Sequence, residues 1–133
     1  MIKIFIDAAT NQTTNTSAGG MLFLRNGQQL QKHIPLLAKT NNEAEFEMMV
    51  KTLEFLISED FQNETIFIYT DSKIVMESLH KEYAKDSRFK VHLKIILKLS
   101  HEFPSLFIEW IEEKNNKGAD NLARQALQKK YPK

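Results

Sequence analysis

The sequence predicts an α/β domain: a mixed five-stranded sheet, its first three strands antiparallel and its last two parallel to the first, with helices on both faces. Three observations predict it. Short runs that are apolar on both alternations read as strands covered on two sides. The pair Asn26-Gly27 joins the second and third such runs as a hairpin. From Thr40 onward strands alternate with helical patterns, the order that builds parallel crossovers.

Residues 2–6 open the chain, with Ile2, Ile4 and Ile6 on one face and Phe5 and Asp7 on the other, as in a central strand that ends at Asp7. The stretch 11–17 is polar and turn-rich, and Ala18-Gly19-Gly20 leads into a second strand over 21–24. After Asn26-Gly27 the segment 29–34 returns antiparallel, until Pro35 loosens its end. Thr40-Asn41-Asn42 offers N-cap chemistry to a helix over 43–58. Residues 64–69 form a fourth strand, and Thr70-Asp71-Ser72 caps a helix that runs to about residue 81. Asp86-Ser87 caps a third helix, 88–101, which Pro104 separates from a strand over 105–111. A polar loop, 112–116, precedes a last helix over 117–130. No repeat, low-complexity tract or linker breaks this order, so residues 1–133 are read as one domain.

Charge narrows the function classes. With 18 basic and 17 acidic residues the chain is nearly neutral, which excludes a tail-driven, strongly basic polyanion binder. The halves differ: residues 1–66 hold 5 basic and 8 acidic groups, residues 67–133 hold 13 and 9. A mildly basic second half permits contact with a polyanion. The absence of cysteine removes disulfides, thiolate zinc sites and a cysteine nucleophile, leaving oxygen and imidazole as metal ligands. No run has the length of a membrane span, and the first residues do not read as a secretory leader; a cytoplasmic, monomeric protein without membrane contact is the expectation.

Four carboxylates stand where a fold gains little from them. Asp7 and Asp71 each follow an apolar strand, so in parallel neighbours both lie at the carboxyl edge of the sheet. Glu45 falls in line with Met49, Leu53 and Leu56 on the sheet-facing stripe, whereas Glu43 and Glu47 point away by about 200°. Asp120 opens the last helix beside the buried set Ala119, Leu122 and Ala126. Each of the last three acids alone reads as a dipole cap. Gathered at one edge, all four repel unless a cation lies among them, and an all-oxygen donor set selects Mg²⁺ or Mn²⁺. Paired divalent ions serve in-line displacement at phosphodiesters.

On these residues the sequence resembles the ribonuclease H family, type 1. The pieces are Ile6-Asp7 before a glycine-containing hairpin, Thr40-Asn41-Asn42-Glu43-Ala44-Glu45-Phe46, Tyr69-Thr70-Asp71-Ser72, and Asn116-Lys117-Gly118-Ala119-Asp120-Asn121-Leu122-Ala123. The resemblance implies a ribonuclease H-like fold and hydrolysis of the RNA strand of RNA–DNA hybrids, leaving 3′-hydroxyl and 5′-phosphate ends. It implies two Mg²⁺ (or Mn²⁺) ions per site. Asp7 would bridge them, Glu45 and Asp71 would hold the one that activates water, and Asp120 with Asp7 the one at the leaving oxygen. Thr40, Asn41 and Asn42 match the stretch that meets the hybrid's minor groove, with helix capping as their structural alternative.

Departures from the family pattern are also legible. Where many members carry a loop histidine four residues after the last-strand tryptophan, this chain has Lys114, counted from Trp110. Ala8 replaces the glycine usual after the first acid, and a basic, tryptophan-rich insertion is absent. Lys114 is taken as a substitute substrate contact. Lys90, Lys94, Lys98 and His101 share a helix face that could bind nucleic acid or simply be solvated. Trp110, Met48 and Met49 are read as core, and His33, His80 and His92 as structural or surface residues. The alternatives are a catalytically silent nucleic-acid-binding module, a related nuclease acting on DNA, and a plain α/β domain with capping acids.

Overall fold

Ile2, Ile4 and Ile6 are buried, and their strand, β1 (Ile2–Asn11), is the middle of the sheet. In the computed structural model, which describes residues 1–130, β2 (Thr16–Arg25) and β3 (Gln28–Leu36) follow as antiparallel neighbours. β4 (Ile66–Thr70) and β5 (Leu106–Trp110) add in parallel on the other side, giving the order β3-β2-β1-β4-β5. The helices are α1 (Asn41–Ser58), α2 (Lys73–Lys81), α3 (Ser87–Ser100) and α4 (Lys117–Lys130). None is long and apolar enough to cross a membrane, among the described residues.

Adjacent residues of β2 show that helices cover both faces. A Cβ on Gly19 would strike Sδ of Met48 on α1; one on Gly20 would strike Ala119 O and Ala123 N on α4. Successive strand residues point to opposite faces, so α1 and α4 lie on opposite sides. α3 packs against α1, with the Phe46 and Phe89 rings stacked at 4.9 Å. The side chains of Ser72 and Asp86 accept amide hydrogens of Val75 (3.3 Å) and Arg88 (2.8 Å), capping α2 and α3.

Three expectations need correction. Asp7 does not end β1: the ladder with β2 continues to Asn11, whereas the parallel ladder with β4 stops at the pair Phe5–Tyr69. Asp7 therefore stands where β4 ceases to accompany β1, still level with Asp71. The antiparallel partner sustains the strand; for the same reason β2 begins at Thr16, with Asn15 at φ 54° in the turn before it. Thr40 occupies the N-cap position of α1 but makes no side-chain cap; its backbone oxygen accepts the Ala44 amide at 3.0 Å.

Glu47 is the third. It is 6% exposed, and its carboxylate accepts the amides of Leu37 (2.9 and 3.0 Å) and Ala38 (2.8 Å). Pointing away from Glu45 does not mean pointing to water, because the segment after β3 folds over this side of α1. The carboxylate satisfies amides that have left the sheet ladder. Glu43 likewise meets a partner, Nε2 of His92 at 3.2 Å. Glu47→Ala is expected to cost about 2–3 kcal/mol, the range for hydrogen bonds to a charged group, read as a lower urea midpoint; Glu47→Gln, which keeps an acceptor, should cost less.

Candidate active site

Four different elements deliver the predicted acids to one place. Asp7 lies on β1 opposite Gly20, on the α4 side of the sheet. Asp71 directly follows β4, Glu45 sits near the start of α1, and Asp120 is in the first turn of α4. All four line a single cleft of about 560 Å³ together with Asn41, Thr10 and Arg124. Glu113, on a single 3-10 turn over Glu113–Asn115, adds a fifth carboxylate.

The electrostatics are those of crowded anions. Burial, then the charge of Asp71, with Asp120 adding to it, pushes the Asp7 carboxyl up to about 8, although the Ala8 amide donates to Oδ1 at 2.9 Å and works the other way. Burial also raises Glu45, helped by Asp71 and Glu113 and opposed by the Ser72 hydroxyl and the Asn41 amide. Asp71 is raised by burial and then by Glu113 and Asp120, against a hydrogen bond from Asn116.

Neutral and cationic partners restrain the cluster. Asn41 Nδ2 donates to Glu45 Oε1 at 3.1 Å, and Arg124 Nε donates to Asp120 Oδ1 at 3.1 Å. Buried Asn116 is the organiser. Its Nδ2 donates to the carbonyl of Ile6, one residue before Asp7, at 2.8 Å, and to Asp71 Oδ2 at 3.1 Å. One amide thus ties the middle of β1 and the end of β4, 65 positions apart, to the loop before α4. Asn116→Ala leaves both acceptors without their donor and is expected to cost about 1–3 kcal/mol, measurable as a fall in Tm at neutral pH.

The donor chemistry fits a hard divalent cation: every candidate ligand is a carboxylate oxygen, and the raised Asp7 pKa reports a buried carboxylate beside like charges, whose ionised form a cation would stabilise. The ligands are not pre-assembled. Among the described residues, no group of three Asp, Glu or His side chains is close enough to hold an ion as it stands. Asn41 and Arg124 explain part of this, since each holds a carboxylate oxygen that an ion would need.

The predicted substrate contacts divide. Asn41 lines the cleft; Thr40 and Asn42 are exposed outside its lining. Lys114 is turned outward and paired with Glu112 at 3.6 Å, because the 3-10 turn gives the cleft-facing position to Glu113. Trp110 is not core. It is 41% exposed, its Nε1 donates to the backbone oxygen of Asp71 at 3.1 Å, and Lys73 Nζ lies 5.5 Å from its ring centroid. At the last position of an edge strand the indole has no layer to enter, so it braces the loop that carries Asp71. Met48 and Met49 are buried, as expected. Glu113, Asn116 and Arg124 went unassigned by residue counting; the signal for Asn116 was its place in the motif before α4.

Fold and cleft together define an α/β protein of the ribonuclease H-like class. The RNase H family pattern matches residues 1–128. EbsB of Enterococcus faecalis, provisionally called a hydrolase, is 41% identical over 132 residues, covering 99% of this chain and 98% of its own. RNase H1 of Halobacterium salinarum superposes with a TM-score of 0.83 at 23% identity, covering 96% of this chain and 98% of that one. LC11-RNase H1, from compost, was solved in complex with an RNA/DNA hybrid; it gives 0.82 at 22% identity over 98% and 99%. The chain belongs to the RNase H family.

Proposed function

We propose that this protein is a metal-dependent endoribonuclease that hydrolyses the RNA strand of RNA–DNA hybrids and leaves 3′-hydroxyl and 5′-phosphate ends. The observation that carries the reading is the convergence of Asp7, Glu45, Asp71 and Asp120 on one cleft. The family supports the hydrolase class, and a structural neighbour was solved with a hybrid bound. A cytoplasmic monomer fits this activity.

Asp7, Glu45, Asp71 and Asp120 are the residues that would hold two Mg²⁺ or Mn²⁺ ions. Such ions supply a water nucleophile and Lewis-acid stabilisation of the leaving oxygen. The chain's own work is orientation. The Ala8 amide fixes one oxygen of Asp7, and Asn116 fixes one oxygen of Asp71 while holding the β1 carbonyl of Ile6 just before Asp7. Asn41 Nδ2 holds Glu45 Oε1, and were Glu45 to take up an ion, that amide would be free for a sugar hydroxyl in the minor groove. Arg124, which holds Asp120 Oδ1, would in the same way be free when Asp120 held an ion and, exposed at the cleft, is placed to meet a phosphate.

Incubating the protein with a 5′-labelled hybrid, duplex DNA and duplex RNA, each in Mg²⁺ and in Mn²⁺, tests the reading. Cleavage confined to the RNA of the hybrid is expected. Retention of the hybrid without turnover in either ion would establish the silent binding module instead, and cleavage of duplex DNA the related nuclease.

A further inference from the structure

We infer that the outer face of α3 is a nucleic-acid docking surface, which takes backbone phosphates of a strand lying outside the carboxylate cleft. Without cations the cleft's five carboxylates repel a polyanion, so attraction that does not depend on them comes from elsewhere on the molecule. Positive charge is concentrated in one segment. Residues 73–101 hold 7 basic and 3 acidic side chains, and the remainder of the chain 11 and 14. Within it, α3 carries Arg88, Lys90, Lys94 and Lys98 and no acid.

The three lysines of α3 are also uncommitted, whereas Arg88 is paired with Asp86 at 2.7 Å. Two cations near the cleft are engaged, Arg124 with Asp120 and Lys114 with Glu112. Lys94 and Lys98 have no ionic partner among the described residues, and Lys90 meets only the Tyr83 ring, 5.7 Å away. Lys90, Lys94 and Lys98 recur at i, i+4 and i+8, so they lie along one side of the helix about 6 Å apart in rise, a repeat close to that of phosphates along a strand. Beside them Tyr83, 58% exposed, forms with Lys90 and Lys94 the wall of a shallow cleft of about 350 Å³ that also includes Glu82. An aromatic ring among phosphate-spaced cations is the chemistry of a strand-binding surface.

This surface is coupled to the catalytic side. α3 packs on the first turns of α1 through Phe89 on Phe46 and His92 on Glu43, adjacent to Asn41 and Glu45. A duplex held by its minor groove at Asn41 therefore has the lysine face of α3 on the helix packed against α1. Val91 and Ile95 are exposed beside the lysines, which makes an anionic lipid surface the competing occupant. Two isolated side chains offer little apolar area to insert, and the aromatic cleft favours a nucleic acid.

The choice of a hybrid as ligand rests on the function proposed above, so the test reads binding without turnover. Anisotropy of a fluorophore-labelled hybrid is measured in EDTA between 50 and 200 mM salt, roughly the range over which phosphate neutralisation tells. For the triple variant Lys90→Gln, Lys94→Gln, Lys98→Gln, the slope of log K against log salt should be shallower by about 2–3, at roughly 0.7–0.9 for each phosphate no longer neutralised. Kd at the lowest salt should weaken at least about tenfold, while Tm stays unchanged because the lysines have no ionic partners to forgo. An unchanged slope overturns the inference. So does lysine-dependent binding to phosphatidylglycerol vesicles without lysine-dependent binding to the hybrid. Absence of cleavage by the wild-type protein would defeat the catalytic reading and leave this measurement standing.

Discussion

Asp7→Asn should abolish hybrid cleavage, by about 10³-fold or more in kcat, while raising Tm in metal-free buffer at neutral pH. Opposite signs for activity and stability are the expected mark of a carboxylate kept for chemistry. Its side chain is largely buried, and Asp71 and Asp120 both disfavour its charge. An amide of the same shape removes the buried charge, and with it a carboxylate oxygen that would ligate a cation. Initial rates on a labelled hybrid, beside thermal melting of both proteins in EDTA, check the two halves separately. A variant that cleaves normally would remove Asp7 from the chemistry, and with it the reading of the cleft.

The pH dependence has a definite sign. The Asp7 carboxyl titrates near 8 in the folded protein and near 3.8 when unfolded. Below 3.8 both states hold the proton; between 3.8 and 8 only the folded state does. Stability from this group is therefore full in acid and lost as the pH rises through 8. The wild-type minus Asp7→Asn difference in Tm should become more negative across that window. Taking the difference removes oppositely directed groups such as Asp86, which Arg88 holds down at about 2. Saturating Mg²⁺ or Mn²⁺ should raise the wild-type Tm at pH 8 by more than that of the variant.

Strand and helix identities were legible because the apolar periodicities are strong and the punctuation is clear at Asn26-Gly27, Thr40, Ser72 and Asp86. So was the placement of Glu45, since Met49, Leu53 and Leu56 fix which stripe of α1 meets the sheet. What escaped depends on contacts between segments distant in sequence. Periodicity says which way Glu47 points, but not that the chain after β3 will lie there. It cannot tell that Trp110 falls on an edge strand, because edge position follows from strand order. Glu113 and Lys114 are adjacent residues in a polar loop, and only the 3-10 turn decides which one enters the cleft. The ring of carboxylates was visible from motifs; the amides and guanidinium that restrain it were not.

Gly20→Ala should be the most damaging single-methyl change in the sheet, with a cost of about 3 kcal/mol, at the upper end of the overpacking range. The added Cβ meets the Ala119 carbonyl and the Ala123 amide nitrogen, with Leu122 Cβ at 2.7 Å. These are backbone and helix-surface atoms with no rotamer to escape into, so α4 must lift from β2. Asp120 rides on that turn of α4, and Gly20 is paired with Asp7, so the lift widens the cleft between two of its acids. Activity should therefore fall even at temperatures where the variant remains folded. Gly19→Ala is the matched control. Its methyl strikes the Met48 thioether, an unbranched side chain able to move aside, and should cost about 1 kcal/mol with kcat nearly unchanged. Urea titrations of both variants, with cleavage rates taken well below each Tm, separate the two outcomes. Equal losses in the two would mean that the seat of α4 on Gly20 does not set the position of Asp120.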